Sequence, residues 1–569
     1  MSTTESAGAE NDALIAAAQE LERALDGVDF PLALGSAADG ATTARAAAGE
    51  LRDYIIPRLS NLDAPALVVM GGSTGAGKST LVNSVVGEDV TVPGVLRPTT
   101  RAPVLICHPN AVHWFDTPRI LPGLARVQGG SAAGANEIQL VTSSALGEEL
   151  ALIDAPDIDS VVDSNRQLAA ELLSAADMWV FVTTAVRYAD AVPWQFLHSA
   201  RDRGTALVVV LNRVPRGALG EVTADLKQHL EANGLQGVEV IGVEEQPLVD
   251  GHIPTAAVQS LRSWLTSLAT NHEARARIVR QSLNGALSDL LVRAASVQVA
   301  SQEQARGMQD LMQRAKEPYE AASENIAADV RDGSVLRGEV LARWQELVGN
   351  GELLRSLQST LGRLRDKITS TITGKKTATD HFQGAVESGV DTLVRARLTQ
   401  AAQQAYAAWR DHPAGHALLA DAPAGLDQPS PGLNDASARL VRDWQAGLVE
   451  LLRAEGAGKK GAARALSYGV NGLAAVLMVG VFAHTGGLTG AEVAIAGGGS
   501  VVGQKLLEAL LGDQAVRTLA DKARVDLDRR IDELAMGEWQ RYEALLGDDN
   551  LGDADRLKDA IDAVQAARA

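Results

Sequence analysis

A glycine-rich stretch, Gly72-Ser73-Thr74-Gly75-Ala76-Gly77-Lys78-Ser79, follows the apolar run Leu67-Val68-Val69-Met70 and matches the pattern GxxxxGK(S/T) in full. Such a loop wraps its backbone N–H groups around phosphates, and the helix that follows adds its positive end. Lys78 brings a point charge to the β and γ phosphates, the Ser79 hydroxyl is a Mg²⁺ ligand, and Thr80 extends the nucleotide-binding turn. Leu150-Ala151-Leu152-Ile153-Asp154 reads as a buried strand ending in a carboxylate, the place of a Walker B aspartate that holds Mg²⁺ through water. Between them lies Arg97-Pro98-Thr99-Thr100-Arg101, in which Thr100, with Thr99 as its competitor, is the candidate to bind Mg²⁺ and sense the γ-phosphate. Arg97 and Arg101 read as surface or structural residues. Asn212-Arg213-Val214-Pro215 closes the series: Asn212 can bond the base or brace the loop, and the Arg213 stem can pack beside the ribose.

These residues need a scaffold that brings strand ends together. From Pro65 to about Val243, β-branched runs at 67–70, 104–107, 150–154, 179–182, 207–211 and 238–241 alternate with helical segments. This alternation predicts a mostly parallel sheet with helices on both faces. Before it, Asp12 to Arg58 is Ala-rich with helical spacing, and Pro57 is expected to end that pattern. After about Ala256, Val279, Leu283, Leu287, Leu290, Ala294 and Val297 form the seam of a long amphipathic helix, and Leu354, Leu357, Leu361, Leu364 and Ile368 form a second. The region 411–435, with four prolines, reads as an irregular excursion. From 465 to 504 the only Asp, Glu, Lys or Arg is Glu492, and Lys459, Lys460 and Arg464 precede the stretch. Leu466 to Ala483 is long enough to nearly cross a bilayer core as a helix; Val493 to Gly503 is not. Two readings stand: a hairpin inserted in an anionic membrane, or a hairpin buried in the helical bundle.

Composition bounds the rest. The 569 residues carry a net charge of −19 and one cysteine, Cys107. Disorder, a disulfide framework and a cysteine zinc site are excluded, and nucleic acid is not an expected partner. The first twenty residues lack the basic and apolar regions of a secretory signal, so the bulk of the chain is expected at the cytoplasmic face.

The ordered set of phosphate loop, Thr100, Asp154-Ala155-Pro156-Asp157 and Asn212-Arg213-Val214-Pro215 resembles the TRAFAC-class P-loop GTPases. With its long helices and late apolar segment, the chain is similar to bacterial dynamin-like proteins, of the kind found at actinomycete septa. The resemblance implies a GTPase using GTP and Mg²⁺, nucleotide-dependent self-association with itself or a related dynamin-like partner, and membrane remodelling in cell division or sporulation. It implies N-terminal helices contributing to a neck over 1–60, an α/β G domain over 61–256, an α-helical neck and trunk over 257–457, a membrane-inserting hydrophobic hairpin over 458–512 and returning helices over 513–569. Within the phosphate loop Thr74-Gly75 stands where dynamins usually place Gln-Ser, and three later positions also depart from the pattern. Asp157 stands where a glycine would meet the γ-phosphate, Ile158 where a glutamine would position water, and Pro215 where a carboxylate would read guanine. Asp190 resembles an acidic loop residue that some dynamins present across a G-domain dimer; a plain loop or helix-capping role is the other reading.

Overall fold

The computed structural model describes residues 2–92, 102–117, 120–121, 123–128, 136–159, 163–332, 339–340, 342–343, 346, 378–456, 474–478, 481, 513–547 and 552–568. By its internal contacts the chain divides into two compact units, one of residues 1–30, 35–303 and 549–569 and the other of 31–34 and 304–548.

The first unit is built on β1, Ala66–Gly72, whose seven residues are all buried. A run apolar on both faces is stable only with layers above and below it, and both are present. Leu67 and Val69 enter one core with helices α1 (Ser2–Asp26), α2 (Ala37–Glu50) and α5 (Asp163–Ser174). Val68 and Met70 enter the other, with α4 (Lys78–Val86) and α8 (Thr255–Thr270). The remaining strands are β2 (Val104–Cys107), β3 (Ala125–Gln128), β4 (Glu137–Thr142), β5 (Leu150–Asp154), β6 (Met178–Thr184), β7 (Ala206–Val214) and β8 (Glu239–Glu244). They lie in the order β3-β4-β2-β5-β1-β6-β7-β8. Every pairing is parallel except β2 with β5, which sets Val104 opposite Asp154.

All six expected strands form, and the sheet gains β3 and β4, which have no continuous apolar run. In β4 only Ile138 and Leu140 are buried, the alternation of a strand near an edge. Pro57 does not end the N-terminal helices. The π-helical turn Leu51–Ile55 precedes it, and Pro57 falls in the first turn of α3 (Ile56–Ser60), where a missing N–H needs no partner. The C-terminal helix Asp553–Arg568 packs against α1 within this unit. Six residues of the expected seam, from Val279 to Val297, are buried along α9 (His272–Arg331).

One carboxylate joins several of these pieces. Asp177, just before β6, accepts from the Leu67 N–H at 2.8 Å and lies 3.1 Å from Arg58 Nε. Tyr54 donates to the same carboxylate at 3.3 Å, and Ser282 of α9 donates to the Asp177 carbonyl at 2.8 Å.

The second unit is helical. Ala378–Arg410 (α10), Leu433–Gly456 (α12) and Asp513–Leu546 (α13) share a core centred on Trp409, Trp444, Tyr319 and Tyr542. The excursion expected at 411–435 contains a helix, α11 (Pro413–Asp421). Pro413 suits its first turn, and the His412 ring accepts from the Gly415 N–H. Of the apolar segment, residues 474–478 and 481 are buried in this core; the rest of the hairpin and the seam at 354–368 lie outside the described residues. Among the described residues no helix is long and apolar enough to cross a membrane.

Removing one partner of a buried ion pair leaves the other charge uncompensated. Asp177→Ala should therefore destabilise the protein by about 3 to 5 kcal/mol; a urea unfolding midpoint indistinguishable from wild type would refute that role.

Candidate functional site

The site forms where β1, β5, β6 and β7 end. At the exit of β1 the chain passes so close to β6 that a Cβ on Gly72 would stand 2.0 Å from the Val182 carbonyl oxygen. At the other end of the loop Gly77 has φ +86°, and a Cβ there would lie 2.8 Å from Asn212 Nδ2. Only glycine fits either place. The turn delivers Lys78 as the first residue of α4 and Ser79 as the second.

Lys78 is buried, and its Nζ donates to the carbonyls of Gly72 at 2.9 Å and Ser73 at 3.2 Å. A third contact, to Asp157 Oδ1 at 2.5 Å, completes its shell. Asp154 at the end of β5 is fully buried. Burial pushes its carboxyl up to about 6, against the opposing pull of the Ser79 hydroxyl, the Lys78 charge and the Thr91 hydroxyl. Neither of its oxygens completes a hydrogen bond. Two orphaned carboxylate oxygens beside a hydroxyl are the hard donors that Mg²⁺ takes, so Asp154 and Ser79 fit the metal. Thr91 is held by Asn83 through a bond in each direction, its N–H to Oδ1 at 2.9 Å and Nδ2 to its carbonyl at 2.8 Å. Thr100, with Thr99, Arg97 and Arg101, lies outside the described residues.

Asn212 braces the loop by donating from Nδ2 to the Ala76 carbonyl at 2.8 Å. Arg213 has φ +55°, uncommon for a residue with a side chain, and its guanidinium lies over Gly77. Pro215 offers no carboxylate. On the adjoining strand, Glu244 accepts from the Gly217 N–H at 3.2 Å, and the Glu245 N–H donates to the Val214 carbonyl at 2.8 Å.

Two residues that the motifs did not single out as site residues belong here. Asp159 Oδ1 accepts from the Thr74 N–H at 2.6 Å and the Thr74 hydroxyl at 2.7 Å. Arg187 donates from Nη1 to the Thr74 carbonyl at 2.7 Å and pairs through Nη2 with Asp159 at 2.8 Å. Burial pushes the Asp159 carboxyl up, but the Thr74 donors and Arg187 outweigh it and hold it below the ordinary value. Asp190 pairs with Arg187 Nε at 2.9 Å. The i, i+3 spacing of Arg187 and Asp190 was a signal for their pairing; nothing local ties either to Thr74.

Residues 68–214 match the profile of the Dynamin family, so this part of the chain is a dynamin-family GTPase domain, a hydrolase of nucleoside triphosphates. No curated protein matches the chain in sequence. Among solved structures it is similar to two from an oligomerised bacterial dynamin pair described as a mechanism for long-range sensing and tethering of membranes. One is 9% identical over 96% of this chain and 95% of that one, with a TM-score of 0.41. The other is 10% identical over 95% and 97%, with a TM-score of 0.40. A third, Era in complex with MgGDPNP and nucleotides of 16S ribosomal RNA, is 17% identical over 35% of this chain and 57% of that one, with a TM-score of 0.23.

The raised Asp154 carboxyl fixes a sign. An acid whose folded value exceeds its unfolded 3.8 favours folding fully below 3.8, and that contribution is lost as pH rises through about 6. In the ligand-free protein Asp154→Asn should therefore raise stability by about 2 to 3 kcal/mol near neutral pH and change little below pH 3.8. Thermal melts across pH check this; an Asn variant less stable than wild type at neutral pH would contradict it.

Proposed function

We propose that the chain is a membrane-associated, dynamin-like GTPase that hydrolyses GTP with Mg²⁺ and couples nucleotide-dependent self-association to membrane remodelling. The observation that carries the enzymatic part is the pairing of a complete phosphate loop with a buried, unsatisfied carboxylate: Lys78 and Ser79 at the start of α4, Asp154 at the end of the adjacent β5.

In this reading the loop from Gly72 to Thr80 cradles the phosphates, with Lys78 on the terminal ones. Ser79 and, through water, Asp154 would hold Mg²⁺, with Thr100 completing the set; when bound, the ion would supply charge neutralisation to the phosphates. Asn212 keeps the loop in shape, and the Arg213 stem lies against the nucleotide. Ile158 is buried and carries no group to orient water, so turnover by a single copy is slow and rises on assembly. Pro215 leaves guanine without its usual carboxylate, which weakens base selection.

The membrane part rests on the apolar segment within 458–512, which follows Lys459 and Lys460 and suits an anionic lipid surface. Self-association is with a second copy or a related dynamin-like chain, and the proposed setting is the cytoplasmic face of a division or sporulation septum.

Two experiments test this reading. Lys78→Ala, shown by a thermal melt to be folded, should lose triphosphate binding by at least about a hundredfold in titration calorimetry, while wild type shows only modest preference for GTP over ATP. Equal affinity in the variant would end the phosphate-site assignment. In liposome flotation, wild type should float with anionic vesicles, and the double change Lys459→Gln, Lys460→Gln should weaken that binding by about 1 kcal/mol for each basic residue lost. Failure of wild type to float, with unfolding of the helical unit in Val476→Asp, would establish the buried hairpin instead.

A further inference from the structure

Three consecutive residues after β5 meet three points of the phosphate loop. Asp157 Oδ1 lies 2.5 Å from Lys78 Nζ, the Ile158 N–H donates to the Gly72 carbonyl at 3.4 Å, and Asp159 Oδ1 accepts from the N–H and hydroxyl of Thr74. A phosphate loop offers an incoming anion two kinds of donor, a lysine ammonium and backbone N–H groups. Here a carboxylate of the chain already occupies one of each. Arg187 secures the second arm, bridging the Thr74 carbonyl and Asp159 Oδ2, and is itself braced by Asp190.

We propose that Asp157 and Asp159 form an internal anion that competes with nucleotide phosphates for this loop, so that residues 157–159 set its affinity and select its ligands. This rests on the nucleotide-binding reading above. A terminal phosphate reaching Lys78 meets a buried carboxylate a few ångströms away in a poorly screened site, so the two cannot share the lysine without strong repulsion. The phosphate enters as Asp157 leaves. An entering group must satisfy Lys78 and the Thr74 amide together, which favours polyphosphates over a single carboxylate or monophosphate. Displacing Asp159 also releases Arg187 from one of its two carboxylates. Occupancy of the loop is thereby transmitted to the turn at 184–190, where Val186 is 89% exposed.

The competition has a sign that distinguishes it from a merely structural ion pair. Removing the internal anion leaves Lys78 buried without its partner in the empty protein, and an external anion relieves that state. Titration calorimetry of the full chain with Mg²⁺ and a non-hydrolysable GTP analogue tests it on wild type, Asp157→Asn, Arg187→Gln and Lys78→Ala. Asp157→Asn should bind about tenfold more tightly or better, and Arg187→Gln, which loosens only the second arm, should shift the same way by less. The analogue should also raise the melting temperature of Asp157→Asn more than that of wild type. A folded Asp157→Asn with unchanged or weaker affinity overturns the proposal, and where that variant does not fold, the direction of the Arg187→Gln shift decides. Loss of binding in Lys78→Ala without a gain in Asp157→Asn defeats the internal anion alone. Equal binding by wild type and Lys78→Ala defeats the nucleotide site and the proposal together.

Discussion

A lysine held away from water must have its charge met by something. Lys78 is only 4% exposed, and two loop carbonyls and Asp157 meet it. The loop supplies two of these partners, the carbonyls of Gly72 and Ser73, from a backbone that at Gly72 runs against β6 closer than any side chain permits. The same requirement shapes the electrostatics. With Lys78 occupied by Asp157, Asp154 lies deep in the same site with neither oxygen hydrogen-bonded, and burial raises its proton affinity. Lys78 and Asp154 are thus two halves of one balance of charge.

The sheet delivers both halves. Parallel strands end on one side, so the loop after β1, the carboxylates after β5, the Arg187 turn after β6 and Asn212 in β7 converge although 140 residues separate the first from the last. The one antiparallel pairing sets the first residue of β2 opposite Asp154. Behind the sheet, Asp177 joins β1, the N-terminal helices and α9, while Glu50 of α2 is paired with both Arg203 and Arg293. Buried charges of this kind hold helices from distant parts of the chain in register on the sheet, because misplacement would leave a charge unpaired.

The helical unit follows a different rule. Its core is apolar and aromatic, with indole N–H groups spent on backbone carbonyls: Trp409 on Leu311 and Trp444 on Ala523. Such contacts fix which helices adjoin without directing charge anywhere.

What the sequence determined by itself was local. The phosphate loop, the apolar strands and the seam of α9 each lie within a window where glycine geometry, continuous burial or a period near 3.6 residues leaves few alternatives. The tertiary structure decided everything that depends on a distant partner. The strands β3 and β4 at one side of the sheet exist because each finds a neighbour, not because their own residues demand it. Pro57 continues a helix because a π turn precedes it. Asp157 reads in sequence as an acid in the place of a phosphate-binding glycine, yet in the fold it neutralises Lys78; Asp159 and Arg187 carry no local mark of their place on Thr74. A side chain's own chemistry states which charge it brings; only long-range packing states which charge it meets, because burial and distance, not spacing along the chain, set the strength of that interaction.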